Sequence, residues 1–333
     1  MIAPVPAEWS PHRAMWLGFP SHADLWEDDL EPAQQEVAAV AKALAGPGEE
    51  RVRLLVCGDA AESAARALLD GEPVEIVRGR FGDVWLRDTG PIFVERDGAF
   101  AAEGFRFNGW GGKYVLEGDE GVAEHIAAAA GAPLTSEPFV LEGGAIDHDG
   151  LGTVLTTRQC LLNPNRNPGW TEIEAEAAMA NSLGARAVLW LSEGIQNDHT
   201  DGHVDNLARF VAPGVVACPV AWGASDPNAE IYDEAARLLS GMRNARGGAL
   251  TVVRVASPGF IEGDGGAPEP ASHMNFIIAN GAVIAPVYET RASAFALDTL
   301  QSLFPERAVI GLSSRALLTG GGSFHCISKE EPE

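Results

Sequence analysis

Long apolar runs are missing from this chain of 333 residues. None approaches the roughly 18 residues that a membrane-spanning helix needs, so no place in a bilayer is expected. Positive charge is scarce. Lys and Arg number 23 against 47 Asp and Glu, a formal net charge of −24. That balance excludes a nucleic-acid or anionic-lipid surface as partner and favours small cations. Cysteine is sparse as well: Cys57, Cys160, Cys218 and Cys326 stand far apart with no CxxC pair. Neither a disulfide framework nor a zinc knuckle is indicated. Four free thiols suit a reducing cytoplasm. The amino end, "MIAPVPAEWSPHR", lacks the basic start and apolar segment of a secretory signal. No low-complexity linker divides the chain, and the Gly/Pro-rich stretch from Glu262 to His273 reads as a surface loop. Residues 1–333 are therefore expected to form one cytoplasmic domain; the sequence leaves a homo-oligomer open.

What is present is a recurring unit. Four pairs of β-rich runs meet at tight turns: Asp97-Gly98, Asp149-Gly150, Pro213-Gly214 and Asn280-Gly281. Asp-Gly and Asn-Gly between apolar runs mark hairpins, because Gly tolerates positive φ. The turn glycines are spaced by 52, 64 and 67 residues, and a helical pattern follows each hairpin. "TEIEAEAAMANSLGA" carries Thr171 and Glu174 at capping-box spacing. "DPNAEIYDEAARLLSGM" places Asp226 as N-cap and Pro227 in the first turn. The amino-terminal segments "RAMWLGFP" and "QQEVAAVAKALAG" supply a further unit. The expectation is an α/β chain of about five ββα-containing modules, stacked radially or linearly.

Titratable side chains and turn glycines coincide in five stretches: "WLRDTGP", "LEGG", "DGHVD", "SHMNF" and "GGGSFHC". Several sit at or just before the first strand of a hairpin. Modules set around an axis would gather Asp88, Glu142, His203, Asp205, Asn275 and Cys326 at one end. Each has a plainer use: Asp88 as a turn former, Glu142 as a surface residue, His203 as a structural imidazole. His203 and Asp205 are expected to alternate along a strand and share one face. Cys57 and Cys218 lie in apolar runs and read as core, with Cys160 similar. Cys326 differs, with glycines before it and polar neighbours. By the same alternation His325 should face away from Cys326.

A zinc site from His203, Asp205, His325 and Cys326 lacks any compact ligand pair, and no metal is expected. A papain-like thiol hydrolase would not need extra carboxylates, which disfavour a thiolate. "GGGS" lacks the Lys and following helix of a phosphate loop. The carboxylates make sense if the substrate is a small cationic guanidine. Two carboxylates can grip its planar N–H donors, a thiolate can attack its central carbon, and histidine can protonate departing ammonia. That chemistry is hydrolytic deimination. An amidinotransferase passing the same adduct to an amine, and a non-catalytic guanidine binder, are the alternatives.

The segments "PAEWSPHRAMWLGFP", "WLRDTGP", "FNGWGG", "FVLEGGAID", "LTTRQCLLNPNRNP", "NDHTDGHVDN", "NFIIANG" and "GGGSFHCIS" run nearly the length of the chain. In that order they resemble the family of agmatine deiminases and bacterial-type peptidyl-arginine deiminases. The resemblance implies a five-bladed α/β propeller of ββαβ-type modules around a central active site. It also implies conversion of agmatine to N-carbamoylputrescine and ammonia, a step of polyamine biosynthesis, without metal or cofactor. By the same resemblance Cys326 is the nucleophile and His203 the general acid/base. Asp88 and Asp205 hold the guanidinium, and Glu142 assists the histidine or the substrate. Trp85 and Trp110 wall the flat cation, and Asn275 is a weaker member of the binding set.

Two segments depart from the family pattern. "NDHTDGH" places His199 where the family usually carries a glutamate near the substrate tail. The stretch after "FNGWGG" is shorter than usual. Both bear on the tail of the guanidine; deimination of another guanidine, including free or peptide-terminal arginine, stays open.

Overall fold

The computed structural model describes residues 2–333, without the side chain of Asp264. Four of the five recurring units are an antiparallel hairpin followed by a helix and a third strand parallel to the second; in the first unit all three strands run parallel. The first unit contains β1 (His12–Gly18), β2 (Val52–Val56) and β3 (Val74–Arg78). Next come β4 (Ile92–Arg96), β5 (Ala99–Arg106) and β6 (Leu134–Val140), then β7 (Ile146–His148), β8 (Thr153–Thr157) and β9 (Ala187–Leu191). The fourth unit is β10 (Arg209–Ala212), β11 (Val215–Val220) and β12 (Thr251–Ala256). The fifth is β13 (Ile277–Ile278), β14 (Ala282–Val287) and β15 (Ala308–Ser313), and the chain ends in β16 (Ser328–Pro332). These strands form five small sheets, one of four strands and four of three, with no closed barrel: a five-module, propeller-like α/β fold.

The amino-terminal unit is completed from the far end of the chain. β16 pairs antiparallel with β1, giving the order β16-β1-β2-β3. The segment after "GGGSFHC" is therefore not a fraying terminus: every residue of β16 is buried. Strands β2 and β14 read as near-continuous apolar runs because helices cover one face and a neighbouring module the other.

Local chemistry sets the turns. Asp97 and Gly98 both take positive φ (53° and 79°), as a tight two-residue hairpin requires. At Asn280-Gly281 the reason for glycine differs from the expected one: φ is not positive, and a Cβ there would sit 2.5 Å from the Pro47 carbonyl oxygen. The capping box at Thr171 and Glu174 is formed, and the helix Glu172–Leu183 ends on left-handed Gly184 (φ 64°). The helix after β11 begins later than expected, at Ala229 with Asn228 as N-cap. Asp226 is drawn off to brace a loop, accepting hydrogen bonds from the backbone N–H of Trp222 (2.9 Å) and Asn228 (3.0 Å). Within the stretch from Glu262 to His273, the first residues are exposed as expected. Ala271, Ser272 and His273 are buried instead, the last anchored to the Ala256 carbonyl (2.7 Å). Among the described residues no helix is long and apolar enough to cross a membrane.

Charged side chains, not apolar ones, fill the axis where the modules meet. Arg209 is fully buried on β10. It pairs with Glu8, lies 3.4 Å from Asp147 on β7, and donates to the carbonyls of Met274 (3.2 Å) and Phe276 (3.0 Å). Arg87 pairs with Glu330 on β16 (2.6 Å). Burial alone would raise the Glu8 carboxyl, but Arg209 and His325 outweigh it and hold it well below the usual carboxylate range. Substituting Arg209→Ala leaves two buried carboxylates without their cation, so the unfolding free energy should fall by about 3–5 kcal/mol. Urea denaturation checks this, and a change under about 1 kcal/mol would show that the axis is not held by this pair.

Candidate active site

Each chemistry-bearing residue lies just ahead of a module's first strand. Asp88 precedes β4, Glu142 precedes β7, Asp205 precedes β10, Asn275 precedes β13, and Cys326 precedes β16. The ring of modules brings all five together at one end of the axis. They surround the floor of a cavity of about 500 Å³, whose wall includes Asp88, Cys326, Trp85, Trp110 and His199. Glu142, His203, Asp205 and Asn275 pack against that floor and are all at most 1 % exposed.

Two expectations about the local backbone fail. His203 and Asp205 do not alternate on a strand: Asp205 sits in a 3-10 turn (Val204–Asn206), reached through left-handed Asp201 (φ 65°) and Gly202 (φ 88°). Cys326 and His325 lie in a turn as well, ahead of β16. Their side chains still diverge. Cys326 reaches the cavity, while the His325 ring spans Asp205 Oδ2 (2.8 Å) and Glu8 Oε2 (3.2 Å).

The thiol is held by Asn275, whose Nδ2 donates to Cys326 Sγ (3.2 Å) and to Asn206 Oδ1 (2.9 Å). Its Oδ1 accepts from the backbone N–H of His325 (2.9 Å) and Cys326 (3.3 Å). Asp205 Oδ2 is 3.8 Å from the sulfur. Asp88 is fixed by the Gly144 N–H to Oδ1 and the Trp110 indole N–H to Oδ2, each at 2.9 Å. Trp110 takes a left-handed backbone (φ 52°, ψ 48°) between glycines, which costs about 1–3 kcal/mol and is secured by that indole bond. His203 Nδ1 lies 3.8 Å from Asp88 Oδ1.

The glycines have specific tasks. A Cβ on Gly144 would stand 2.6 Å from His203 Nδ1 and 3.0 Å from oxygens of both Asp88 and Asp205. One on Gly322 would stand 2.4 Å from the Trp85 ring, and one on Gly320 2.7 Å from Trp26. Gly321 is left-handed (φ 97°) and packs on His199. Thus "GGG" lets the Cys326 loop lie flat against two indoles.

Sequence reasoning missed four supporting residues. Arg166, in "NPNRNP", has a fully buried side chain and donates to Glu142 Oε1 (2.6 Å), to Asp201 and to the Thr200 carbonyl (2.8 Å). Its flanking Asn and Pro residues were the available signal. Asp83 accepts from the indoles of Trp26 (3.0 Å) and Trp85 (2.7 Å), and burial pushes its carboxyl up to about 6. Cys160 lies beside His203 and Glu142 rather than in ordinary core. His325 supports Asp205 from behind.

Four buried atoms of this cluster have no hydrogen-bond partner within the protein: His203 Nδ1 and Nε2, Glu142 Oε2 and Asp205 Oδ1. Burial, then Asp205 and Asp88, raise the Cys326 thiol well above its ordinary value. Burial opposes protonation of His203, but Asp88 and its other neighbours outweigh it and raise its pKa well above the ordinary value. At neutral pH the cluster therefore holds a thiol, an imidazolium and ionisable acceptors open to a planar cation.

The sequence profile of the Porphyromonas-type peptidyl-arginine deiminases matches residues 4–332. The agmatine deiminase of Ectopseudomonas mendocina (strain ymp) is 38% identical, over 98% of this chain and 95% of its own. The solved agmatine deiminase of Enterococcus faecalis superposes with a TM-score of 0.93 at 32% identity, covering 100% of this chain and 96% of that one. The C. jejuni agmatine deiminase with substrate bound is 27% identical with a TM-score of 0.89, covering 100% of this chain and 97% of that one.

The raised thiol has a direct consequence. At pH 7 a neutral alkylating reagent should modify Cys326 slowly, faster as pH rises, while a cationic amidine reagent reacts quickly. Asp205→Asn should speed the neutral reagent. Mass-spectrometric alkylation rates read this out; equal rates for both reagents, at matched intrinsic reactivity, would contradict it.

Proposed function

The chain belongs to the Porphyromonas-type peptidyl-arginine deiminase family, and on that footing we propose that it hydrolyses agmatine to N-carbamoylputrescine and ammonia. The observation that carries this reading is the pair of buried, unpartnered acceptors, Asp205 Oδ1 beside Cys326 and Glu142 Oε2 beside His203. Left empty, each costs about 1–3 kcal/mol; a guanidinium supplies the missing donors. The agmatine deiminases named above support agmatine as the guanidine.

In this reading the guanidinium lies over the floor with Asp88 and Asp205 on its N–H edges. Its charge beside the sulfur offsets the two carboxylates, and the thiol proton leaves through the open cavity. The thiolate adds to the guanidinium carbon. His203, as imidazolium, gives its proton to the departing nitrogen, and ammonia leaves with a thiouronium adduct on Cys326. The neutral imidazole then takes a proton from water, which adds to the same carbon. Collapse releases the ureido product, and the thiolate recovers its proton. Arg166 fixes Glu142 at the back of His203, so Glu142 steadies the imidazolium and completes the acceptor set.

Trp85 and Trp110 flank the cavity floor, and Leu25, Tyr114 and His199 form its mouth. Tyr114 and His199 rings lie 6.1 Å apart there. The same lining carries Glu27, Asp28 and Asp29, which suit a distal ammonium better than a carboxylate. That balance favours agmatine over free arginine. Residues 1–333 act as one domain, because the site draws on every module. Four free thiols fit the cytoplasm.

A panel of guanidines assayed for ammonia and ureido product tests the reading. Agmatine should lead, and no product from any guanidine would overturn the hydrolase. Cys326→Ser should abolish turnover and leave guanidine binding within a few fold. Asp88→Asn should lower kcat/KM by about 10–150-fold, the loss of one charge-assisted hydrogen bond worth about 1.5–3 kcal/mol; retention within a few fold would remove its assigned role.

A further inference from the structure

Cys160 has no part in the deimination step, yet it stands in the innermost layer of the site. Its sulfur, a carboxylate oxygen of Glu142 and a ring nitrogen of His203 lie within 4.8 Å of one another, and all three side chains are buried. Independently, Glu142 Oε2 and both nitrogens of His203 lack a partner within the protein. One sulfur, one nitrogen and one oxygen thus lie together, each able to offer a lone pair once Cys160 and His203 give up their protons.

That donor set has a defined preference. Thiolate and imidazole select zinc over magnesium or calcium, and a carboxylate completes a three-ligand site with water as fourth ligand. Donors about 2.0–2.3 Å from a tetrahedral zinc stand about 3.5 Å from one another, so the three side chains must close in by up to about 1.3 Å from separations within 4.8 Å. Charge also balances. The metal would neutralise the Cys160 thiolate and the Asp88 carboxylate, while Arg166 already neutralises Glu142 at 2.6 Å.

We propose that Glu142, Cys160 and His203 form an inhibitory site for a thiophilic divalent cation, zinc, distinct from any catalytic cofactor. Its effect on turnover rests on the deiminase reading, whereas binding itself does not. Coordination sends the thiol proton of Cys160 and the imidazolium proton of His203 to water. It also occupies the nitrogen that would protonate the leaving ammonia. The metal and a guanidinium then compete, since both require Glu142 Oε2 and a cation already fills the site. Cys160 sets the sensitivity and the nucleophile Cys326 is not needed for it.

Calorimetric titration of the full chain with Zn2+, without substrate, should show one equivalent bound by the native protein and by Cys326→Ser. Cys160→Ser should bind at least tenfold more weakly. Co2+ supplies a second readout: a thiolate-to-cobalt charge-transfer band should appear in the native protein, persist in Cys326→Ser and vanish in Cys160→Ser. Survival of the band in Cys326→Ser tests the site without depending on the Cys160 variant to fold. Agmatine should raise the apparent Zn2+ dissociation constant. No bound equivalent in the native chain, unchanged affinity in Cys160→Ser, or loss of the band in Cys326→Ser would each overturn the proposal. Ammonia release measured in chelator without metal judges the deiminase reading separately.

Discussion

The pairing of buried charge along the module axis is the constraint on which the rest depends. Glu8, from the segment before β1, meets Arg209 of β10, which also faces Asp147 of β7. Glu8 also meets His325, which in turn holds Asp205. All of these groups are buried, so each charge is tolerable only while its partner from another module is in place. The network thus orders the ring. It also ends, through His325 and Asp205, at the carboxylate 3.8 Å from the nucleophilic sulfur. Correct closure of the fold and correct placement of the site are one event.

The site itself runs against that rule. Its charges are arranged so that pairing is incomplete without a ligand. Burial raises Cys326, and burial also raises Asp88 despite the nearby imidazole. Asp205 goes the other way: burial opposes ionisation, but the His325 hydrogen bond and the charges of His325, His203 and Arg209 together outweigh it and lower its pKa. The empty site therefore keeps an anionic Asp205 beside a protonated thiol. In the proposed reaction the cation that relieves this imbalance also turns the thiol into a nucleophile, so reactivity follows occupancy. A thiol that stays protonated in the empty enzyme is also shielded from adventitious oxidation and alkylation.

Backbone detail supports this arrangement at small cost. Gly144 lets three polar groups approach one Cα, and the glycines before Cys326 let its loop lie on Trp26 and Trp85. Trp110 bears a left-handed backbone because its indole N–H is needed at Asp88. These positions explain motifs that neither periodicity nor propensity accounts for: "LEGG", "GWGG" and "GGGS" are steric requirements of the axis.

The sequence by itself determined the repeating hairpin-and-helix unit, since Asp-Gly and Pro-Gly turns, the Thr171 capping box and apolar periodicity are local properties. It also pointed to the candidate site, because turn glycines and titratable side chains coincide around Asp88, Glu142, His203, Asp205 and Cys326. What only the tertiary structure decided depends on contacts between modules. The closure of the first sheet by β16 joins residues more than 300 positions apart, as Trp16 to Lys329, and no local signal specifies it. The turns carrying His203, Asp205 and Cys326 were misread as strands because alternation of residue type cannot distinguish a strand from a turn packed in a ring. Arg166 drew no notice, Cys160 read as core, and His325 read only as facing away from Cys326. Their neighbours are Glu142, His203 and Asp205, partners set by the radial arrangement and not by distance along the chain.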